Sequence, residues 1–344
     1  MKFEEIKKLL DVNVDYENNV YIPNEIFEDF KTIKKQNAKQ ESQSNYIAFA
    51  YSYYYLIMWL YKYTKFNMGK CIDQKIIKKI LGYNAEYRES NFIIKKNGLL
   101  DQMKYTETVT DYPIGLNKDI YGEVEGYEML SDLKINKDDK EIGHDTKMLL
   151  EHYYELNGKN YSVKMPVHGF YRYPNDEQMQ QDYDNGDEDG VFSDISNTHN
   201  ITFETFMYCM DNDSIGTIGF YLYSYLKRMN DLHKDGYDIS LEDMEAETGI
   251  KARTLDKYLD ILKKYNMINC IHNQEYFCLA LSEKDRMANT YRVYDYDLFN
   301  DKPVAYEKIK IMKVSEYKKV KEEEKKNVWG NIERVDISLE DLPY

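Results

Sequence analysis

The chain has 344 residues, 42% of them hydrophobic, which is enough for two domains with packed cores and excludes global disorder. Its formal net charge of −15 argues at first sight against a nucleic-acid partner. The acid is unevenly placed, however: residues 111–213 carry 23 Asp and Glu against 8 Lys and Arg, a local balance of −15, so the rest of the chain sums to zero.

Residues 60–100 hold 9 Lys and Arg against 3 acids. Because salt screens charge beyond about 8–10 Å, a duplex would feel that basic stretch more than the distant acid. The 35 tyrosines reflect AT-rich codon usage, together with abundant Asn, Lys and Ile, more than a functional signal. Cys71, Cys209, Cys270 and Cys278 have no metal-ligand spacing and read as reduced, mostly buried thiols of a cytosolic protein. The start, MKFEEIKKLL, is too charged for a signal peptide. The longest apolar run, Tyr53 to Tyr61, is interrupted soon after by Lys62 and Lys65, so a buried helix is expected and not a membrane span.

In chain order, residues 1–44 read as a lead-in ending in the polar run KKQNAKQESQS. A first unit, residues 45–115, begins with a Tyr-rich apolar helix from Asn45 to Tyr63. Asp73 then caps QKIIKKIL, which stops at Gly82. A third helix is expected over Glu86 to Lys96, followed by Gly98 and the strand-like LLDQMKYTETVT. Residues 116–200 form an acidic insertion with strand-like pieces (YSVKMPVHGFYRY) and the loop QDYDNGDEDG.

The second unit, residues 201–300, is clearer. Ile215 to Met229 is a hydrophobic helix, and Tyr237 to Ile239 a short extended piece. Ser240 occupies an N-cap position with Asp243 three residues on, a capping-box pattern; LEDMEAET follows and stops at Gly249. The next helix runs from about Ala252 to Tyr265, with Leu255, Leu259 and Leu262 on one buried face. Met267 to His272, Tyr276 to Leu281 and YRVYDYD are strand-like. The wing is either His272–Glu275 or the longer Ser282–Thr290, the latter preferred for Lys284, Arg286 and Asn289. Residues 301–344 comprise a charged helix, KVSEYKKVKEEEKKN, and an acidic tail.

An offset of 168 residues aligns NGLLD with YNMIN, sets Gly82 one residue past Gly249 and lays Tyr53 on Tyr221, so the two units read as a repeat. The expected fold class is mainly α with small β-hairpins (α+β): two winged helix-turn-helix domains separated by an acidic insertion.

Only a helix or a β-ribbon fits the major groove, where Arg and Lys reach guanine acceptors. In the second unit Arg253, Thr254 and Lys257, with Lys251 at the helix start, are candidate base readers. Lys263, Lys264 and the wing residues Lys284, Arg286 and Asn289 are candidate backbone contacts. In the first unit the candidates are Arg88, Asn91, Lys95 and Lys96, beside Glu86 and Glu89, which would repel phosphate. The bland alternative is a solvated charged face on a protein-binding module. Asn185, Asp187, Asp189 and Gly190 match half of a calcium loop, but position twelve is Ser196 where a bidentate Glu belongs, so an acidic loop is the better reading. No phosphate-binding G-x-x-x-x-G-K-[ST] loop and no H-x-H or H-E-x-x-H pair occurs, so neither catalysis, cofactor nor metal is expected.

The last residues, Glu340, Asp341, Leu342, Pro343 and Tyr344, resemble the acidic tip with which bacterial single-stranded-DNA-binding proteins dock on replication and repair enzymes. Here Tyr replaces the usual Phe and no glycine-rich linker precedes it; an inert acidic tail is the alternative. GFYLYSYLKRM, ISLEDMEAETGIKARTLDKYLDILKKYNMI and NTYRVYD together resemble the tandem winged-helix replication initiators of Gram-positive plasmids and phages. The resemblance implies binding to repeated duplex sequences in an origin, distortion of nearby AT-rich DNA and recruitment of host replication proteins, with a homodimer as a further expected partner. By that likeness Arg253, Thr254 and Lys257 read bases while the first unit grips a neighbouring stretch. A winged-helix transcriptional regulator and a protein-interaction module without DNA contact are the rivals.

Overall fold

The computed structural model describes residues 1–34, 40–66, 72–118, 124–136, 143–170, 195, 197–282 and 285–332. The fold is α+β. The N-terminal part runs α1 (Phe3–Leu9), β1 (Asn19–Pro23), α2 (Ile26–Phe30), α3 (Gln40–Lys62), α4 (Gln74–Ile80), α5 (Asn91–Ile94), α6 (Leu99–Gln102) and β2 (Glu107–Val109). The middle holds β3 (Pro113–Lys118), β4 (Val124–Met129), α7 (Leu130–Asn136), α8 (Gly143–Asn157), β5 (Val163–Met165) and α9 (Val167–Phe170). Then follow β6 (Thr198–Thr202), α10 (Phe203–Asp211), α11 (Gly216–Leu232), β7 (Tyr237–Ile239), α12 (Leu241–Thr248), α13 (Ala252–Lys264), β8 (Ile268–Ile271), β9 (Tyr276–Phe277), β10 (Asn289–Val293), β11 (Lys310–Ile311) and α14 (Val314–Ile332).

The core is organised by α3 packed against α11. Residues 46–61 of α3 are buried on every side, as expected of a helix apolar all round. Tyrosine fills this core because its hydroxyls find acceptors: Tyr55 donates to the Ile201 carbonyl (2.8 Å) and Tyr221 to the Thr248 carbonyl (3.0 Å), while the Tyr51 hydroxyl pairs with His199 Nε2 (2.8 Å). Trp59 stacks on Phe203 at 3.9 Å. Among the described residues no helix is long and apolar enough to cross a membrane.

The N-terminal segment is built into this core and is more than a lead-in. Ile6, Leu10, Val20, Ile22, Phe27 and Phe30 are all buried, and β1 pairs antiparallel with β6 in the register Asn19↔Thr202 to Pro23↔Thr198. A single apolar cluster therefore runs from Ile6 to Tyr291, across the boundaries drawn from sequence at 45, 116 and 201.

The second unit matches its expected elements closely. Ser240 Oγ accepts from Asp243 N (3.0 Å), α12 ends on Gly249 at φ +69°, and Leu255, Leu259 and Leu262 form the buried face of α13. A three-stranded antiparallel sheet, order β7-β10-β8, backs the helices. Two readings change. Strand formation in Tyr276 to Leu281 is confined to β9, which pairs in parallel with β11 instead of joining that sheet. The connection between β8 and β10 spans residues 272–288 and so takes in both sequence candidates, but Asn289 and Thr290 belong to β10 itself.

The first unit departs further. Asp73 caps α4 as expected, through Ile76 N (2.8 Å), and Gly82 follows at φ +81°. The helix expected over Glu86–Lys96 shrinks to α5, a single turn. Its N-terminal half is diverted by local bonds: Asn84 Oδ1 accepts from Glu86 N (2.9 Å), and Lys78 Nζ donates to the Tyr87 carbonyl (2.6 Å) and Asn91 Oδ1 (2.7 Å). The strand expected from Leu99 begins instead as α6. There Asp101 accepts from Asn97 N (2.8 Å), Thr106 Oγ1 (2.6 Å) and the buried Lys164 Nζ (2.5 Å), which ties the turn to β5. Only Glu107–Val109 is strand, paired with β5. The calcium-like loop, Cys71, Lys284 and the tail Glu340–Tyr344 lie outside the described residues.

Candidate nucleic-acid interface

Helix α13 presents its cations because of where its leucines go. With Leu255, Leu259 and Leu262 in the core, positions 253, 256 and 257 point to solvent, and Arg253, Asp256 and Lys257 are all exposed. Arg253 and Lys257 form no salt bridge with any described residue; the Lys257 ammonium lies 5.0 Å from the centroid of the Tyr258 ring. Thr254 is half-buried beside them. Asp256 is an acid on the same face that the sequence reading passed over.

The start of α13 is fixed by a carboxylate from the preceding helix. Glu245 accepts from Ala252 N (2.7 Å) and Lys251 Nζ (2.8 Å). These two bonds hold the Glu245 carboxyl below its ordinary range. Lys251 is therefore engaged within the protein, and its backbone N–H reaches Ser44 Oγ (3.3 Å). The Lys251 side chain is 42% exposed, so its ammonium is shared between this ion pair and solvent.

At the other end of α13, Lys264 pairs with Asp260 (2.6 Å), and the Lys263 ammonium sits 4.7 Å from the Tyr306 ring centroid. Asp260 also accepts from the Tyr306 hydroxyl (2.7 Å) and from Lys308 (3.2 Å). Burial alone would raise its pKa, but the bonds from Lys264, Tyr306 and Lys308 prevail and hold it at about 2. The carboxylate thus stays ionised and is matched by two lysine ammonium groups. Asn289 is committed to His272 (2.9 Å) inside the sheet region, whereas Arg286 is exposed on the β8–β10 connection.

Sequence reasoning missed the segment at 302–313, an extended strap along α13. Val304 N donates to the Lys264 carbonyl (2.8 Å), Met312 N to the Phe277 carbonyl (2.9 Å), and β11 pairs with β9. The signal that could have found it is the alternation Lys308-Ile309-Lys310-Ile311, the period of a strand.

In the first unit Arg88, Lys95 and Lys96 are exposed, but they sit in turns flanking α5 and not along a recognition helix. Asn91 is occupied by Lys78. Glu86, expected to repel phosphate, is paired with Lys75 at 2.7 Å. Of the residues proposed from sequence, the structure therefore brings Arg253, Thr254 and Lys257 together at the start of α13 and leaves Arg88, Lys95 and Lys96 exposed in turns around α5. Comparison with known proteins finds no matching family model, no matching curated sequence and no matching solved structure.

Proposed function

We propose that the chain binds double-stranded DNA sequence-specifically, without catalysis, as a cytoplasmic plasmid or phage replication initiator of the tandem winged-helix type. What carries the reading is the exposed pair Arg253 and Lys257 on the solvent face of α13, without a salt bridge to any described residue. A capped helix, a tight left-handed turn, a second amphipathic helix and a three-stranded antiparallel sheet follow the order of a winged helix. In this reading the first turns of α13 enter the major groove, and Arg88, Lys95 and Lys96 hold a neighbouring stretch by its backbone. Residues 340–344 recruit host replication proteins, and two copies occupy paired repeats.

Gel shifts with origin fragments test this. Arg253→Ala and Lys257→Ala should each weaken binding by about 1–3 kcal/mol for a lost bidentate base contact. Unchanged binding removes the assignment. Deleting residues 340–344 separates the initiator from a transcriptional regulator built on the same helices: the initiator keeps its DNA affinity and loses plasmid maintenance.

A second reading, a protein-interaction module, draws support from Leu279 and Met287, which are 74% and 59% exposed on the β8–β10 connection. Leu279→Ser with Met287→Ser leaves duplex binding intact under the first reading.

A further inference from the structure

We propose that the groove between the last turn of α13, the turn after β8 and the 302–313 strap is a second contact site for the phosphodiester backbone of duplex DNA, with Lys263, Lys308 and Lys310 as its cations. This rests on the duplex-binding reading and extends it beyond the exposed face at the start of α13.

The strap is strongly basic in a chain that is acidic overall: residues 302–313 contain Lys302, Lys308, Lys310 and Lys313 against the single acid Glu307. It is also fixed in place, anchored at one end by Val304 N on the Lys264 carbonyl and at the other by the pairing of β11 with β9. Lys308 and Lys310 are two apart in extended chain, so they project to the same side, and both line a groove of about 480 Å³ together with Lys263.

The arrangement gathers like charges. The ammonium groups of Lys263 and Lys308 lie 4.7 Å and 5.7 Å from the centroid of the one Tyr306 ring, and Lys264 and Lys308 share the Asp260 carboxylate. Lys264 and Lys308 share that one carboxylate, while Lys263 and Lys310 form no salt bridge with any described residue, which leaves positive charge that the ring face offsets only in part. Asn269, His272 and Gln274 add polar groups to the groove, while Glu275 and Glu307 are acids on its wall.

The distances along the helix agree with such a role. Lys263 lies ten residues beyond Arg253, about 15 Å along the axis at 1.5 Å per residue. The major groove is about 12 Å wide. A helix that enters the groove by its first turns, with Arg253 and Lys257 at base edges, carries its far end and the strap on the side away from those bases, within reach of backbone phosphates.

The test is fluorescence anisotropy with a labelled mixed-sequence duplex, titrated at salt from about 50 to 200 mM. Lys308→Ala with Lys310→Ala should flatten the slope of log affinity against log salt by about 2, from about 0.9 per lost phosphate contact. Lys308→Arg with Lys310→Arg should keep the native slope. If the alanine pair keeps the native slope while Arg253→Ala with Lys257→Ala loses binding, the strap proposal is wrong and the duplex reading stands. If the native protein binds no duplex, both fall.

Discussion

Two glycines at matching places in the two units offer a sharp test of the packing described above. Gly82 and Gly249 both follow a short capped helix and both adopt a left-handed backbone, at φ +81° and +69°. Alanine at either position incurs the left-handed penalty of about 1–2 kcal/mol. Their surroundings differ. A Cβ at Gly82 meets nothing within 4 Å, whereas at Gly249 it would lie 2.8 Å from Ile47 Cδ1 and 3.0 Å from both Cα and the carbonyl oxygen of Lys31. Two of those neighbours are backbone and cannot rotate away, so overpacking adds about 1–3 kcal/mol. Gly82→Ala should therefore cost about 1–2 kcal/mol and Gly249→Ala about 2–5 kcal/mol. Urea unfolding followed through the emission of Trp59, buried against Phe203, measures both. Because α13 begins three residues after Gly249, the same variant should also weaken duplex binding, and Gly82→Ala should weaken it less. Equal losses of stability at the two sites would refute the claim that the α12–α13 turn is wedged against α2 and α3.

Burial, reinforced by Arg228, depresses the pKa of His199 from 6.5 to about 3. Below pH 6.5 the unfolded chain takes up a proton that the folded one refuses, so stability should fall by about 1.4 kcal/mol per pH unit toward pH 3, and His199→Gln should flatten that dependence in pH-resolved denaturation. Lys164→Met leaves the Asp101 carboxylate without its buried partner and should cost about 3–5 kcal/mol; adding Asp101→Asn, which removes the uncompensated charge and keeps an acceptor for Asn97 N and Thr106 Oγ1, should recover part of that loss in the same assay.

The second unit was legible because its determinants are local. The spacing of Leu255, Leu259 and Leu262, the Ser240 cap and Gly249 all act within a few residues, and each appears as read. The first unit was less so because polar side chains of neighbouring elements override its local pattern. Lys78 of α4 turns its side chain to the Tyr87 carbonyl and Asn91 Oδ1, where the following helix is cut to a single turn. Asp101 reads as a strand residue until Lys164, far along the chain, is known to reach it. The same limit hid β1, whose partner is β6, and the strap, whose partner is β9. In the candidate interface, the exposure of Arg253 and Lys257 was legible in the amphipathic spacing. The ion pair of Lys264 with Asp260 follows from i,i+4 spacing on one helix, whereas that of Lys251 with Glu245 appears only once α12 and α13 are placed.

The most direct measurement is photocrosslinking of the native protein to duplex origin DNA in which thymines carry iodouracil, whose iodine lies in the major groove where the methyl group would be. The account predicts crosslinked peptides from residues 251–264, lost in Arg253→Ala with Lys257→Ala. Crosslinks that map elsewhere and leave α13 unmodified would contradict it.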